Sequence, residues 1–145
     1  MKGAIFSAKD LSRAFDRAIS DLKSNSTSEL GSLSALMQVL GDFLDDGMYM
    51  MAGMILGQVG GATFQLRNMQ TLDPSVEGLL RSSARELARG LESLREELCQ
   101  KPNPDHKAFN EIMGNLAKVQ WKLIQRLNIV HQTPFGPPFG AAEGE

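Results

Sequence analysis

Few residues of this chain have the types and spacing that catalysis requires. His106 follows Pro104 and Asp105 in a predicted turn, and His131 lies at the predicted end of the last helix. Neither histidine has a serine, cysteine or carboxylate at a spacing that suggests a nucleophilic relay. Cys99 lies near the carboxyl end of a predicted helix, where the negative end of the helix dipole raises a thiol pKa. We therefore expect an inert cysteine.

The acidic residues and glycines give no better catalytic candidate. Asp45-Asp46 and Glu96-Glu97 are adjacent in sequence, so on a helix the two side chains of each pair diverge by about 100°. A di-metal helical bundle uses Glu-x-x-His motifs, which the sequence lacks. Its recurring glycines are not followed by the Lys-Ser/Thr of a phosphate-binding loop. The sequence therefore predicts no enzymatic activity, no cofactor and no metal.

The most informative segment is the stretch 47–66, which runs twenty residues without a charged side chain. As a helix it has no charged face to meet water, which predicts a Gly/Met-rich central helix buried on every side. Its glycines fall on one smooth strip bordered by larger side chains, which suits close packing against another helix of this chain or of another subunit. The candidate residues for helix packing and oligomerisation are Gly53, Gly57, Gly60, Gly61, Met50, Met54 and Phe64.

The same stretch raises the alternative of a membrane-associated protein that uses 47–66. Its length matches a bilayer span of ~20 residues. However, Gln58, Gln65 and five glycines make it only mildly hydrophobic, and only Tyr49 could serve as an interfacial aromatic anchor. The composition favours a buried helix in a water-soluble bundle.

Basic residues recur at intervals of four on three predicted helices. Like charges at this spacing destabilise a helix by about 0.2–0.5 kcal/mol per pair, so each row needs a compensating partner. One interpretation is ion pairing with acidic residues of the chain or of another subunit, which the net charge of −2 favours. The alternative is contact with a nucleic-acid backbone. The rows are Lys9, Arg13 and Arg17; Arg81, Arg85 and Arg89; and Lys118, Lys122 and Arg126.

The elements that position these residues are predicted to be four or five helices. The first begins after Ser7, which forms a capping box with Asp10. A polar break at 24–28 separates it from a second helix that runs to about residue 46. The uncharged third helix continues to about residue 71.

The last two helices are predicted to form an antiparallel hairpin. Asp73-Pro74 is a favoured start for the fourth helix, and Pro102 and Pro104 end it before the fifth. Both helices have apolar residues at alternating spacings of three and four, which is typical of a coiled-coil seam. The seams are Leu80, Ala84, Leu87, Leu91, Leu94 and Leu98 in the fourth helix, and Phe109, Ile112, Leu116, Val119, Leu123, Leu127 and Val130 in the fifth.

Length and composition are typical of one globular domain. The chain has 145 residues, of which 42% are apolar and 22% charged. We predict a single all-α domain over 1–131, followed by an extended or disordered Pro/Gly-rich tail over 132–145. Phe135 and Phe139 of this tail are candidates for docking into a groove on a neighbour. A lone cysteine indicates a reducing compartment, so we expect a cytoplasmic protein.

Together these features predict a non-enzymatic, self-associating helical bundle that binds protein partners as an adaptor, a chaperone-like subunit or a structural subunit of an assembly. A homo-oligomer is expected. The alternatives are a small helical subunit of a nucleoprotein complex, which contacts the nucleic-acid backbone through the basic rows, and the membrane-associated protein described above.

Overall fold

Five helices form the part of the chain that the computed structural model describes, residues 5–24, 29–69, 74–101 and 105–132. No strand occurs in these ranges, which confirms the prediction of an all-α helical bundle. The predicted tail beyond Gln132, with Phe135 and Phe139, lies outside the described residues, as does the predicted cap Asp73. The helices are α1 (Ala8–Lys23), α2 (Glu29–Leu40), α3 (Asp46–Met69), α4 (Ser75–Cys99) and α5 (His106–Gln132).

The helices pack around one core in the order α1–α2–α3–α5–α4. Each helix contacts its neighbours in this order, and α1 and α4 contact each other, which closes a ring. In addition, α3 contacts α4. Arg126, near the end of α5, donates a hydrogen bond to Ser75 at the start of α4, so these two helices run antiparallel. His106 at the start of α5 lies beside Asp45 at the start of α3, so α3 and α5 run in the same direction. The largest fully buried side chains include Phe15, Leu36, Leu56, Leu91, Phe109 and Leu116.

Polar side chains define where three of the helices begin. Ser7 accepts a hydrogen bond from the Asp10 amide at 3.2 Å, and the Asp10 carboxylate accepts one from the Ser7 amide at 2.9 Å. The predicted capping box is therefore confirmed. Asp45 accepts the Met48 amide at 2.8 Å before α3, and Asp105 accepts the Lys107 amide at 3.1 Å before α5. Each side chain satisfies a backbone donor that the first helical turn leaves without a partner.

The second helix ends six residues earlier than the sequence predicts, at Leu40 and not near residue 46. The reason is a contact between distant parts of the chain. The Asp42 carboxylate accepts hydrogen bonds from the Ile5 and Phe6 amides, both at 2.9 Å, and this holds the segment after α2 in a turn. Gly41 lies against the Tyr49 ring, which is 3.5 Å from where a β-carbon would stand.

α4 and α5 approach each other closely at Gly90. A β-carbon added there would meet the Leu116 side chain, with the Leu116 γ-carbon only 3.0 Å away. Leu116 is fully buried, so it has little room to move aside. By contrast, a β-carbon added at Gly78 in the same helix would have nothing within 4 Å. Gly90 is therefore a packing glycine, whereas Gly78 is not.

We expect Gly90→Ala to lower the free energy of unfolding and Gly78→Ala to raise it. Overpacking a core costs about 1–3 kcal/mol, while alanine in place of a helical glycine contributes about 0.5–1 kcal/mol. The difference between these two effects is a net loss of up to about 2.5 kcal/mol at Gly90. Urea denaturation of the two variants measures this difference. Equal midpoints would show that the contact with Leu116 relaxes without strain.

Candidate docking surface

Exposed apolar side chains in the described part of the chain concentrate on α3 and its neighbour α5. Six large apolar side chains are exposed among the described residues, of which four lie on α3 and one on α5. The sixth is Ile5, before α1. The five that cluster, with their exposed fractions, are Met50 (67%), Met51 (41%), Met54 (60%), Phe64 (53%) and Trp121 (60%).

The outward side of α3 is open, which corrects the prediction that this helix is buried on every side. One face packs into the core through residues at helical spacing, while the opposite face meets no other described helix. The cause is geometric, because α2 has 12 residues and α3 has 24, and no helix of the described ranges lies outside α3. The residues of the packed face are Met48, Ala52, Leu56, Val59, Ala62 and Leu66.

The four glycines of the predicted strip do not lie in the same environment. Gly57 and Gly61 face open space, since a β-carbon added at either would have nothing within 4 Å. Gly53 lies beside α2, with the Met37 ε-carbon 3.4 Å from where its β-carbon would stand. Gly60 is buried. The smooth notch on the outside of α3 is therefore formed by Gly57 and Gly61.

The exposed Trp121 of α5 follows Gln120, which contacts α3 next to this notch, although the sequence did not single out Trp121. Gln120 donates a hydrogen bond to Gln58 of α3, and Trp121 stands about 100° further round α5, towards the outside. The sequence feature that could have identified Trp121 is that this large aromatic residue lies outside the apolar seam of α5. We call the surface formed by α3 and this side chain the α3 face. It comprises Met50, Met54, Gly57, Gly61, Phe64 and Trp121.

Two concavities adjoin the α3 face. A groove of about 510 Å³ runs between α2 and α3 beside Gly57, with the small residues Gly31, Ser34 and Ala35 in its wall. A mostly apolar cavity of about 210 Å³ lies between α1, α2, α3 and α4, with Phe64 at its edge. Apolar side chains of a docked protein could therefore insert beside α3 as well as lie upon it.

The basic rows are only partly paired in the structure. Arg81 pairs with Glu77 at 2.8 Å and Arg13 with Asp10 at 4.0 Å, both within one helix. Arg126 donates to Ser75. The six other members, Lys9, Arg17, Arg85, Arg89, Lys118 and Lys122, form no ion pair with a described residue.

Ion pairs between helices use other basic residues. Lys23 pairs with Glu92 at 2.6 Å, and Arg95 pairs with Asp16 at 2.9 Å, so both join α1 to α4. The acidic residues expected to compensate the rows are thus partly engaged elsewhere. Among the row members, Arg13 and Arg81 form the predicted ion pairs with described acidic residues.

The candidate chemical groups do not assemble into a reactive cluster. Cys99 is exposed at the end of α4, and partial burial raises its thiol pKa, an effect that Arg95 opposes. His106 is also exposed and lies 3.1 Å from Asp45. Within the described ranges, no group of three or more His, Cys, Asp or Glu side chains is placed to hold a metal ion.

Asp45 has a lowered pKa, chiefly because its carboxylate accepts the Met48 amide hydrogen bond, with a further contribution from His106. In the unfolded chain the Asp45 carboxylate has its ordinary pKa of 3.8, whereas in the folded chain its pKa is lower. The unfolded state thus holds more protons in this window, so stability falls as the pH drops below 3.8. Asp10 behaves in the same way because of Ser7.

We expect the melting temperature of the protein to fall as the solution is acidified from about pH 4 to about pH 2. Asp45→Asn should flatten this dependence, since the amide oxygen still accepts the Met48 amide hydrogen bond but the side chain no longer ionises. Thermal denaturation followed by circular dichroism measures both profiles. If the two profiles stay parallel throughout this range, the carboxylate of Asp45 does not contribute to acid sensitivity.

Comparison with known proteins adds no functional assignment. The chain has no significant match to a protein-family model, to a curated protein or to a solved structure. Among the described residues, no helix combines the length and apolar character needed to cross a membrane. The α3 face and the six row members without an ion pair to a described residue are therefore the features from which a function is argued.

Proposed function

We propose that this protein is a non-enzymatic, self-associating helical bundle that acts as a subunit of a protein assembly and docks through the α3 face. The observation that supports this proposal is the clustering of exposed apolar side chains. Four of the six that the described residues expose, Met50, Met54, Phe64 and Trp121, belong to the α3 face. Scattered exposed apolar residues are ordinary on a protein surface, but a contiguous patch marks a contact surface.

The composition of the α3 face suits a protein partner. Its three apolar side chains on α3, Met50, Met54 and Phe64, have no charged residue between them over 50–64. Interface centres are likewise depleted of charge and enriched in methionine and aromatic residues. Methionine adapts its shape to a partner because its side chain is flexible. Gly57 and Gly61 leave room for a partner helix to approach closely.

Light scattering of the purified full chain tests the proposal. We expect a molar mass above the 15.8 kDa of a single chain, decreasing on dilution. Met54→Glu and Phe64→Glu should each return the mass to that of a monomer, because a docked partner would bury the new charge. The emission of Trp121, the only tryptophan, should shift to the blue as the protein is concentrated.

A charge-matched control separates docking from a general effect of added charge. Asn115→Glu introduces the same side chain at an exposed position on α5, away from the α3 face, and should leave the mass unchanged. All three variants should retain the helical circular dichroism of the parent. A parent chain that is monomeric at every concentration, or glutamate variants that associate as the parent does, would refute the proposal.

A second candidate function, binding to a nucleic-acid backbone, is favoured by the six basic side chains that form no ion pair with a described residue. Arg89 of α4 and Lys118 of α5 border the same surface groove, although Glu86 also lies there. Neighbouring basic side chains on two helices could contact successive phosphates without distinguishing bases. The net charge of −2 argues against a large electrostatic attraction.

Fluorescence anisotropy with labelled duplex DNA and single-stranded RNA tests this second candidate. Phosphate contacts predict affinity that falls steeply with salt, with a slope that decreases by about one for each basic contact removed. The triple variant Arg85→Glu, Arg89→Glu and Lys118→Glu should then abolish binding. Binding that survives this reversal, or no binding at low salt, excludes the basic rows as a nucleic-acid surface.

A further inference from the structure

We propose that the partner on the α3 face is a second copy of this chain, whose α3 packs antiparallel across a two-fold axis beside Gly57. This inference rests on the proposed function and specifies the partner and its orientation. A two-fold dimer requires a surface that is complementary to itself, so that residue i meets residue j and j meets i. The order of residues along α3 meets this requirement.

Two exposed side chains of α3, Met50 and Phe64, are placed symmetrically about Gly57. Each lies seven residues from Gly57. In an antiparallel pair centred on Gly57, Met50 of one copy therefore faces Phe64 of the other. The thioether of methionine packs favourably against an aromatic ring at about 5 Å.

The glycines allow the two copies of α3 to approach closely where they cross. Gly57 would face Gly57 of the second copy, and nothing in the described chain lies within 4 Å of its missing side chain. Helix axes in proteins pack about 8–10 Å apart, and small residues permit the lower end of this range. A shallow crossing angle of about 20° keeps Met50 and Phe64, about 10 Å from the centre, in contact.

Charge distribution also favours the antiparallel arrangement. Asp45 and Asp46 lie at the amino end of α3 and Arg67 at its carboxyl end, with no charged side chain between them. An antiparallel copy brings the acidic end of one helix beside the basic end of the other at both edges of the contact. It also opposes the two helix dipoles. A parallel pair would bring like charges together at both ends.

The available apolar area agrees with the size of a stable dimer contact. Half-exposed aromatic and methionine side chains on the α3 face offer on the order of 500 Å² of apolar surface per copy. A stable interface buries about 800 Å² per partner, of which about 65% is apolar in homodimers. These two estimates are equal within their precision, so a second copy could cover the α3 face without leaving much of it exposed.

Cysteine cross-linking tests the orientation. In a Cys99→Ser background, Met50→Cys and Phe64→Cys proteins are prepared separately, mixed, and treated with a short bismaleimide. The antiparallel dimer predicts cross-linked dimer in the mixture and little in either protein alone, because identical positions lie about 20 Å apart along the helix axis. Gly57→Cys alone should cross-link efficiently, since that position faces itself. Met51→Cys mixed with Phe64→Cys is the control for position, because Met51 projects about 100° away from Met50.

Each outcome bears on the inference separately from the proposed function. Efficient cross-linking of Met50→Cys alone would indicate a parallel pair and overturn the inference. So would the absence of cross-links in an oligomer that Met54→Glu dissociates, although the α3 face would then still be a docking surface. A chain that remains monomeric in light scattering overturns both proposals. Light scattering of the Cys99→Ser background verifies that this substitution leaves the association intact.

Discussion

Ala62→Leu is expected to lower the free energy of unfolding by about 1–3 kcal/mol, whereas Gly57→Leu should leave the folded monomer at least as stable as the parent. The two residues lie on opposite sides of α3. Ala62 is 5% exposed within the core, so three additional carbon atoms must displace packed neighbours. Gly57 faces open space, and leucine has a higher helix propensity than glycine by about 0.8 kcal/mol.

When association is measured, Gly57→Leu should be the more strongly affected of the two variants. Gly57→Leu fills the notch at which a second helix approaches, so light scattering should show a monomer. Ala62→Leu leaves the α3 face unchanged, so it should associate as the parent does wherever it remains folded. Urea denaturation of dilute protein gives the first comparison, and molar mass at high concentration gives the second. Loss of association in both variants, or in neither, would contradict the assignment of the two faces.

A central helix buried on every side, as the sequence predicts, would lead to a different expectation for this pair. With α3 placed at the centre of the bundle, Gly57→Leu should disrupt folding or assembly more than Ala62→Leu. The structure separates these two effects, because the glycine notch lies on the outside. We therefore expect Gly57→Leu to abolish association without impairing folding.

Contacts between residues close in sequence explain which parts of the fold could be predicted. The capping box of Ser7 and Asp10 involves residues three apart, so the pattern alone locates the start of α1. The apolar seams of α4 and α5 likewise follow from helical periodicity. In contrast, the end of α2 depends on Asp42 and the Ile5 and Phe6 amides, 36 and 37 residues away. No local pattern reports such a contact.

The orientation of α3 could not be predicted because its sequence offers too little contrast. Helical periodicity identifies the buried face by the charged residues on the opposite face, and 47–66 has none. The exposed Met54 and the buried Leu56 are both apolar, so their types do not separate them. The structure separates them through the shortness of α2 and the absence of a described helix outside α3.

Glycine shows a related limit of sequence analysis. The recurrence of glycines in α3 predicts that they pack against another helix, yet a β-carbon added at Gly57 or Gly61 would contact nothing in the described chain. Gly90 of α4 belongs to no such recurring pattern, yet the Leu116 side chain of α5 lies directly against it. Whether a helical glycine packs depends on which helices meet at that residue, and this is a property of the tertiary structure.

Replacing each of two phenylalanines by alanine should separate the stability of the core from the function of the α3 face. Phe15 is fully buried on α1, and Phe→Ala in a core costs about 3–5 kcal/mol. Phe64 is 53% exposed, so the same change should cost the monomer only about 1 kcal/mol, since roughly half of the transfer free energy is at stake. Urea denaturation of dilute protein measures both values.

Association should respond in the opposite order. Phe64→Ala removes the aromatic ring that we propose meets Met50 of the second copy, so its dissociation constant should rise by tenfold or more. This corresponds to about 1.4 kcal/mol, within the range for loss of a buried aromatic anchor. Phe15→Ala alters no residue of the α3 face and should associate as the parent does while it remains folded. If Phe64→Ala weakens folding as strongly as Phe15→Ala and leaves the molar mass unchanged, the ring packs within the monomer and α3 has no docking face.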